Sequence, residues 1–112
     1  MSRISRDLTK LSQEEIQNLD VSNVASYNVE ALKNYIIPSG FDLDKVDEDG
    51  MTLLHYCCER GFKTHVFHLL KNGVDKNIAD NSGKKPIDYV NVDHPKQYAR
   101  SKHRAIYKML VD

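Results

Sequence analysis

In the stretch MTLLHYCCERG, residues 51–61, His55 stands just before two adjacent thiols, Cys57 and Cys58. On a helix His55 and Cys58 fall at i and i+3, where an imidazole could serve as base to a thiol nucleophile. Cys57, Cys58, His65 and His68 could also be drawn as a zinc site. Structural zinc prefers spacings such as C-x2-C and H-x3-H, and none occurs among these four residues. Adjacent cysteines on a helix also point about 100° apart. The acidic run Asp42, Asp44, Asp47, Glu48, Asp49 has the alternation of a calcium loop, but Leu53 stands where the bidentate Glu would have to be. No metal or cofactor is expected. Neighbouring cysteines make a strained disulfide, so both read as free thiols of a reducing compartment.

Which of these readings applies depends on the elements that hold the residues. The chain repeats itself at a shift of 33: Asp47-Glu48-Asp49-Gly50 returns as Asp80-Asn81-Ser82-Gly83, and Ile36-Ile37 as Leu69-Leu70. Asp-x-x-Gly marks a tight turn, with a side-chain acceptor at its start and a glycine that tolerates positive φ at its end. Thr52 follows as a helix N-cap. Leu54, Cys57 and Cys58, at i, i+3 and i+4, form one apolar face of a short helix that Gly61 ends. Val66, Leu69 and Leu70 give a second helix closed by Gly73. The unit is turn, helix, tight turn, helix, loop.

These residues resemble the ankyrin repeat. Its pattern is matched by Asp47, Gly50, Thr52, Leu54, His55, Cys57, Cys58, Gly61, Leu69, Leu70, Gly73, Asp75 and Asn77, and in weaker form by Asp80, Gly83, Pro86, Ile87 and Val90. The resemblance implies that both cysteines fill positions where neighbouring helices pack closely and the family prefers alanine. It implies that His55 supports the turns by hydrogen bonding. It also implies an all-α repeat fold, an α-solenoid of about three ankyrin repeats with atypical end units. The departures are Leu53 in place of a helix-opening proline, Lys63 and His65 at positions usually apolar, Phe67 where a charge is usual, and Asp88 in place of the histidine.

A single domain over 1–112 is expected: an arm and cap helix over 1–18, and repeats over 19–46, 47–79 and 80–112. Ser12 with Glu15 reads as a capping box and Leu11 with Ile16 as a hydrophobic staple. In the third unit VNVDHPKQYARS lengthens the turn, and a capping helix is expected from Lys102, burying Ala105, Ile106, Met109 and Leu110.

The chain has 112 residues, 16 basic and 16 acidic. That balance disfavours nucleic acid as partner, and the basic run from His94 to Lys108 reads as a solvated face. The first fifty residues hold five Lys or Arg against ten Asp or Glu, and the rest eleven against six, so the surface is dipolar. No apolar run has the length of a signal peptide or membrane span, which predicts a cytoplasmic chain, with the nucleus as alternative. The resemblance implies a protein partner bound by turn tips and a concave helix face: Tyr27, Glu48, Asp49, Met51, Glu59, Arg60, Asn81, Ser82 and Lys84. It implies no catalytic residue. The string TLLHYCCERGFKTHV also resembles the ankyrin tail of some acyl-CoA-binding proteins, so an accessory tail is the alternative, and a thiol enzyme on His55 and Cys58 a third. A monomer is expected, with Phe67 as the place for a dimer contact.

Overall fold

A computed structural model describes residues 8–112. The N-terminal arm assigned to 1–18 therefore lies partly outside the described residues. Among those described the regular structure is helical, without a strand. It comprises α1 (Gln13–Gln17), α2 (Val21–Val24), α3 (Val29–Ala31), α4 (Leu53–Arg60), α5 (Lys63–Lys71) and α6 (Gln97–Val111), with 3₁₀ turns at Leu8–Lys10 and Pro86–Tyr89.

Each helix start has a local cause. Ser12 Oγ accepts from Glu15 N–H and Glu15 reaches back to Ser12 N–H, the expected capping box, with Ile16 buried beside half-buried Leu11. Asn28 caps α3 by accepting from Ala31 N–H at 2.9 Å. After Ala31 the helix continues over Leu32–Ile36 as a π-helix, with Ile37 N–H bonded to Leu32 O at 2.9 Å. This wide turn answers a difference between the units: the buried residues are Leu32 and Ile36, four apart, in the first and Val66 and Leu69, three apart, in the second.

The core runs unbroken through the stack. Val21, Val24 and Ala25 of the first unit, Leu54, Cys57, Cys58, Val66 and Leu69 of the second, and Ile106 and Leu110 of α6 belong to one cluster. Helix α4 packs against α2, α5 and the Pro86–Tyr89 turn, and α5 against α6, so no unit buries its apolar face alone. Burial of Ile106 and Leu110 is worth about 1.5–3 kcal/mol each, which explains why α6 docks.

Helix α6 begins at Gln97, five residues before the expected Lys102, directly after Pro95 and Lys96. Gln97 to Arg100 include good helix formers, and a proline just upstream is compatible with a helix start. Its buried stripe is His103, Ile106 and Leu110, whereas Ala105 and Met109 are only half-buried. His103 fits because Gly61 lacks a side chain: a Cβ there would lie 3.1 Å from His103 Nε2. Gly61 also ends α4 in the left-handed conformation, at φ +72°.

Gly50 and Gly73 both have positive φ, at +77° and +82°, but their surroundings differ. A Cβ at Gly50 would approach Asn81 Oδ1 to 2.7 Å and Asn81 N to 2.8 Å, whereas at Gly73 it would meet nothing within 4 Å. Gly73→Ala should therefore cost only the left-handed penalty, about 1–2 kcal/mol, in urea denaturation. Gly50→Ala should cost clearly more, because the next turn must move; equal midpoints for the two variants would contradict this packing.

Candidate partner-binding surface

The turn tips are built by two carboxylates in the same way. Asp47 Oδ1 accepts from Asp49 N–H and Met51 N–H, both at 2.9 Å, and Asp80 Oδ1 accepts from Ser82 N–H and Lys84 N–H, both at 2.9 Å. The second oxygen of each takes a phenol: Tyr56 Oη donates to Asp47 Oδ2 and Tyr89 Oη to Asp80 Oδ2. Burial opposes ionisation of Asp47, but the bonds from Tyr56, Met51 and Asp49 outweigh it and hold its carboxyl below the ordinary range. The Tyr89 bond, with those from Lys84 and Ser82, does the same for Asp80. In return Tyr56 is raised by burial and then by Asp47, and Tyr89 is pushed up to about 12, first by its bond to Asp80.

These tyrosines were not among the sequence-derived residues, although the signal is present. Each follows its turn aspartate by nine residues, and they are themselves 33 apart.

Between the turns stands His55, fully buried. Thr52 N–H donates to His55 Nδ1 at 3.0 Å, which leaves the proton on Nε2 to donate to Lys84 O at 2.9 Å. Thr52 Oγ1 accepts from His55 N–H at 3.3 Å, as a cap should. In the third unit Asp88 does the capping work of the missing histidine, accepting from Lys85 N–H at 2.9 Å. His65, at a position usually apolar, bonds Tyr27 O at 2.9 Å and so ties the second unit to the first.

Both thiols are sealed from solvent in this setting. Cys57 and Cys58 are 1% and 0% exposed. Burial pushes Cys57 up to about 12, and burial together with Cys57 raises Cys58 as well. Both nitrogens of His55 are already engaged, so the arrangement has neither thiolate nor free base. Among the described residues no three His, Cys, Asp or Glu converge to hold a metal.

The outward residues gather into two recesses. Glu48 and Asp49 join Asp20, Ser22, Asp47 and Tyr56 around a hollow of about 380 Å³ with four carboxylates and no cation. Glu59 and Arg60 line a larger cleft of about 660 Å³, with Tyr89, His94, Lys96 and Tyr98 on its other sides. Asn81 does not stand free: its N–H bonds Asp49 O at 3.0 Å and its side-chain amide Glu48 O at 2.8 Å, stitching one tip to the next. Ser82 and Lys84 are exposed, and Lys84 Nζ lies 5.5 Å from the Tyr89 ring centre. Two expected contact residues are placed otherwise. Met51 is only 8% exposed, folded under its own turn, and Tyr27 is half-buried against the core. Phe67 is 50% exposed on α5.

Tandem turn–helix–helix units with glycine-closed tips and one shared core define an ankyrin-repeat protein. The family model for ankyrin repeats (3 copies) matches residues 22–112, and the chain belongs to this family. Similar curated proteins include protein phosphatase 1 regulatory subunit 27 of Mus musculus, 33% identical over 70 residues (62% of this chain, 45% of the relative). The human form of that subunit is 31% identical over 71 residues (63% and 46%), and human ankyrin repeat domain-containing protein 40 is 38% identical over 53 residues (46% and 14%). The chain thus spans less than half the length of these relatives. Protein–protein interaction is typical of the family. Among the described residues no helix is long and apolar enough to cross a membrane.

Two measurements test the geometry. Native-state labelling with an aromatic disulfide reagent should modify both cysteines slowly, at the rate of unfolding; rapid reaction of either would place it outside the core. The second concerns His103, which burial pushes below the usual imidazole range, with His94 stacked at 5.8 Å adding to the effect. The unfolded chain then binds more protons below about pH 6.5, so stability is full above that pH and falls as pH drops through the folded value. Asp47 and Asp80 act only at more acidic pH, below about 4. Melting temperature should fall between pH 7 and 5.5, and by less in His103→Gln; an unchanged slope in that variant would remove His103 from the account.

Proposed function

We propose that this chain is a non-catalytic recognition module that binds a protein partner on the turn tips and the exposed side of α4, using Glu48, Asp49, Glu59, Arg60, Asn81, Ser82 and Lys84. Repeat boundaries at 19–46, 47–79 and 80–112 go with this reading. The observation that carries it is the contrast between the two recesses. One holds four carboxylates and no cation; the other mixes Arg60 and Lys96 with Glu59 and Asp88 and adds the aromatic rings of Tyr89 and Tyr98. A partner of matching polarity lays basic side chains over Asp20, Glu48 and Asp49 and places apolar and polar groups of mixed charge towards the cleft of Glu59, Arg60, Asp88, Lys96 and Tyr98. The buried thiols and the engaged His55 support a role without catalysis.

The chain is expected in the cytoplasm or nucleus as a monomer, with Phe67 as the surface through which two copies would meet. Similarity to regulatory subunits named for protein phosphatase 1 makes that enzyme the first partner to test. Immobilised wild-type chain should capture its partner from lysate, with association slowing as salt is added. Reversing Glu48, Asp49, Glu59 and Arg60 together should weaken capture by about tenfold or more. Capture undiminished by the four reversals would show that the partner binds elsewhere, and failure to retain purified protein phosphatase 1 would exclude that partner alone.

A further inference from the structure

Away from both recesses, Gln97, Arg100, Ser101 and Arg104 line a hollow of about 170 Å³ on α6. Their spacing sets them along one face of a 15-residue helix whose sequence contains no Asp or Glu. Every polar side chain in the lining offers N–H or O–H donors. The two guanidinium groups are also held in place. Arg100 Nη1 donates to His94 O at 3.1 Å, and Arg104 Nε donates to Val92 O at 3.0 Å.

The loop that provides those carbonyls is itself anchored. Asn91 N–H donates to His103 Nδ1 at 3.0 Å, and Lys96 N–H to His94 Nδ1 at 3.1 Å. One edge of each arginine is thus used for positioning, and the terminal nitrogens of Arg104 and the Nε and Nη2 of Arg100 keep donors for a ligand. Surface ion pairs are weak largely because two long side chains must be ordered to form them. Here that ordering is present before any ligand arrives.

We propose that this hollow binds an oxyanion borne by a protein partner, with a phosphorylated serine or threonine as the best fit and an Asp or Glu side chain as the weaker one. Two guanidinium forks side by side favour a dianion over a monocarboxylate, and their planar donors suit its oxygens pairwise. The hollow takes one anionic group. A nucleic acid draws its affinity from a row of phosphates and an excess of basic charge, and this chain has 16 basic and 16 acidic residues. None of the hollow's four residues lines either recess, so the site stands or falls independently of the turn-tip reading.

The test uses the full chain and fluorescein-labelled peptides of sequence Glu-Glu-X-Glu-Glu, where X is phosphoserine, Glu or Ser, together with a labelled single-stranded oligonucleotide, all at near-physiological salt. Fluorescence anisotropy should show saturable binding of the phosphoserine peptide, about tenfold or more tighter than the Ser peptide, since the phosphate adds charge-assisted hydrogen bonds that the hydroxyl cannot make. Arg104→Gln should weaken it about tenfold and Arg104→Lys by less. Ser101→Glu, which leaves both loop contacts intact, should abolish it. A Glu peptide binding as tightly as the phosphopeptide would keep the site and assign it to carboxylates. Absence of saturable binding, binding undiminished in Ser101→Glu, or tighter binding of the oligonucleotide would each overturn the proposal.

Discussion

One buried imidazole ties the central repeat to the turn that follows it. His55 accepts from the backbone N–H of Thr52, the cap of its own helix, and donates to Lys84 O in the next unit, so a single ring closes a helix cap and a contact between repeats. Leaving either group unpaired in the interior would cost about 1–3 kcal/mol. The turn carboxylates depend on that alignment. With Lys84 held from below, its N–H faces Asp80 Oδ1, and Asn81 reaches back to Glu48 O and Asp49 O. The backbone of the tips is consequently held by hydrogen bonds before any partner arrives, which suits a recognition surface because less ordering is left to be done on binding.

A second consequence of stacking appears at the C-terminal end. Gly61 ends α4, and the same lack of a Cβ admits His103 from α6. His103 then receives Asn91 N–H and sets the course of the loop from 91 to 96. That loop forms part of the wall of the aromatic cleft and anchors two arginines on its other side. A glycine selected by backbone geometry thus decides, through one histidine, the shape of two separate surface features.

Much of this was legible from residue types and spacing. The 33-residue shift, the Asp-x-x-Gly turns, the Thr52 cap, the capping box at Ser12 and the apolar faces of α4 and α5 are local or periodic signals, and each returned as observed. The departures from these local signals share a cause. The resemblance to the family puts Met51 on the contact surface, yet the Asp47 N–H bond to Met51 O folds it under the tip. Helix α6 starts before Lys102 because its basic, aromatic first turns, which resemble loop in the sequence, are held by carbonyls of the preceding loop. His103 is buried without any sequence signal, because a lone histidine among lysines and arginines has no apolar period to mark it.

By itself the sequence determined the repeat, the fold class, the helix boundaries with a cap or a glycine, and the core faces of α2 and α4, because those depend on hydrogen bonds within a few residues and on the 3.6-residue period of apolar side chains. Only the tertiary structure decided what the polar residues do. Whether a histidine is base, ligand or strut, whether a cysteine is thiolate or filler, and whether an arginine is solvated or tethered depend on burial and on partners 12 to 38 residues away in the chain, such as Val92 for Arg104 and Tyr27 for His65. Those distances are not periodic, and the energies that set them arise only once water has been excluded.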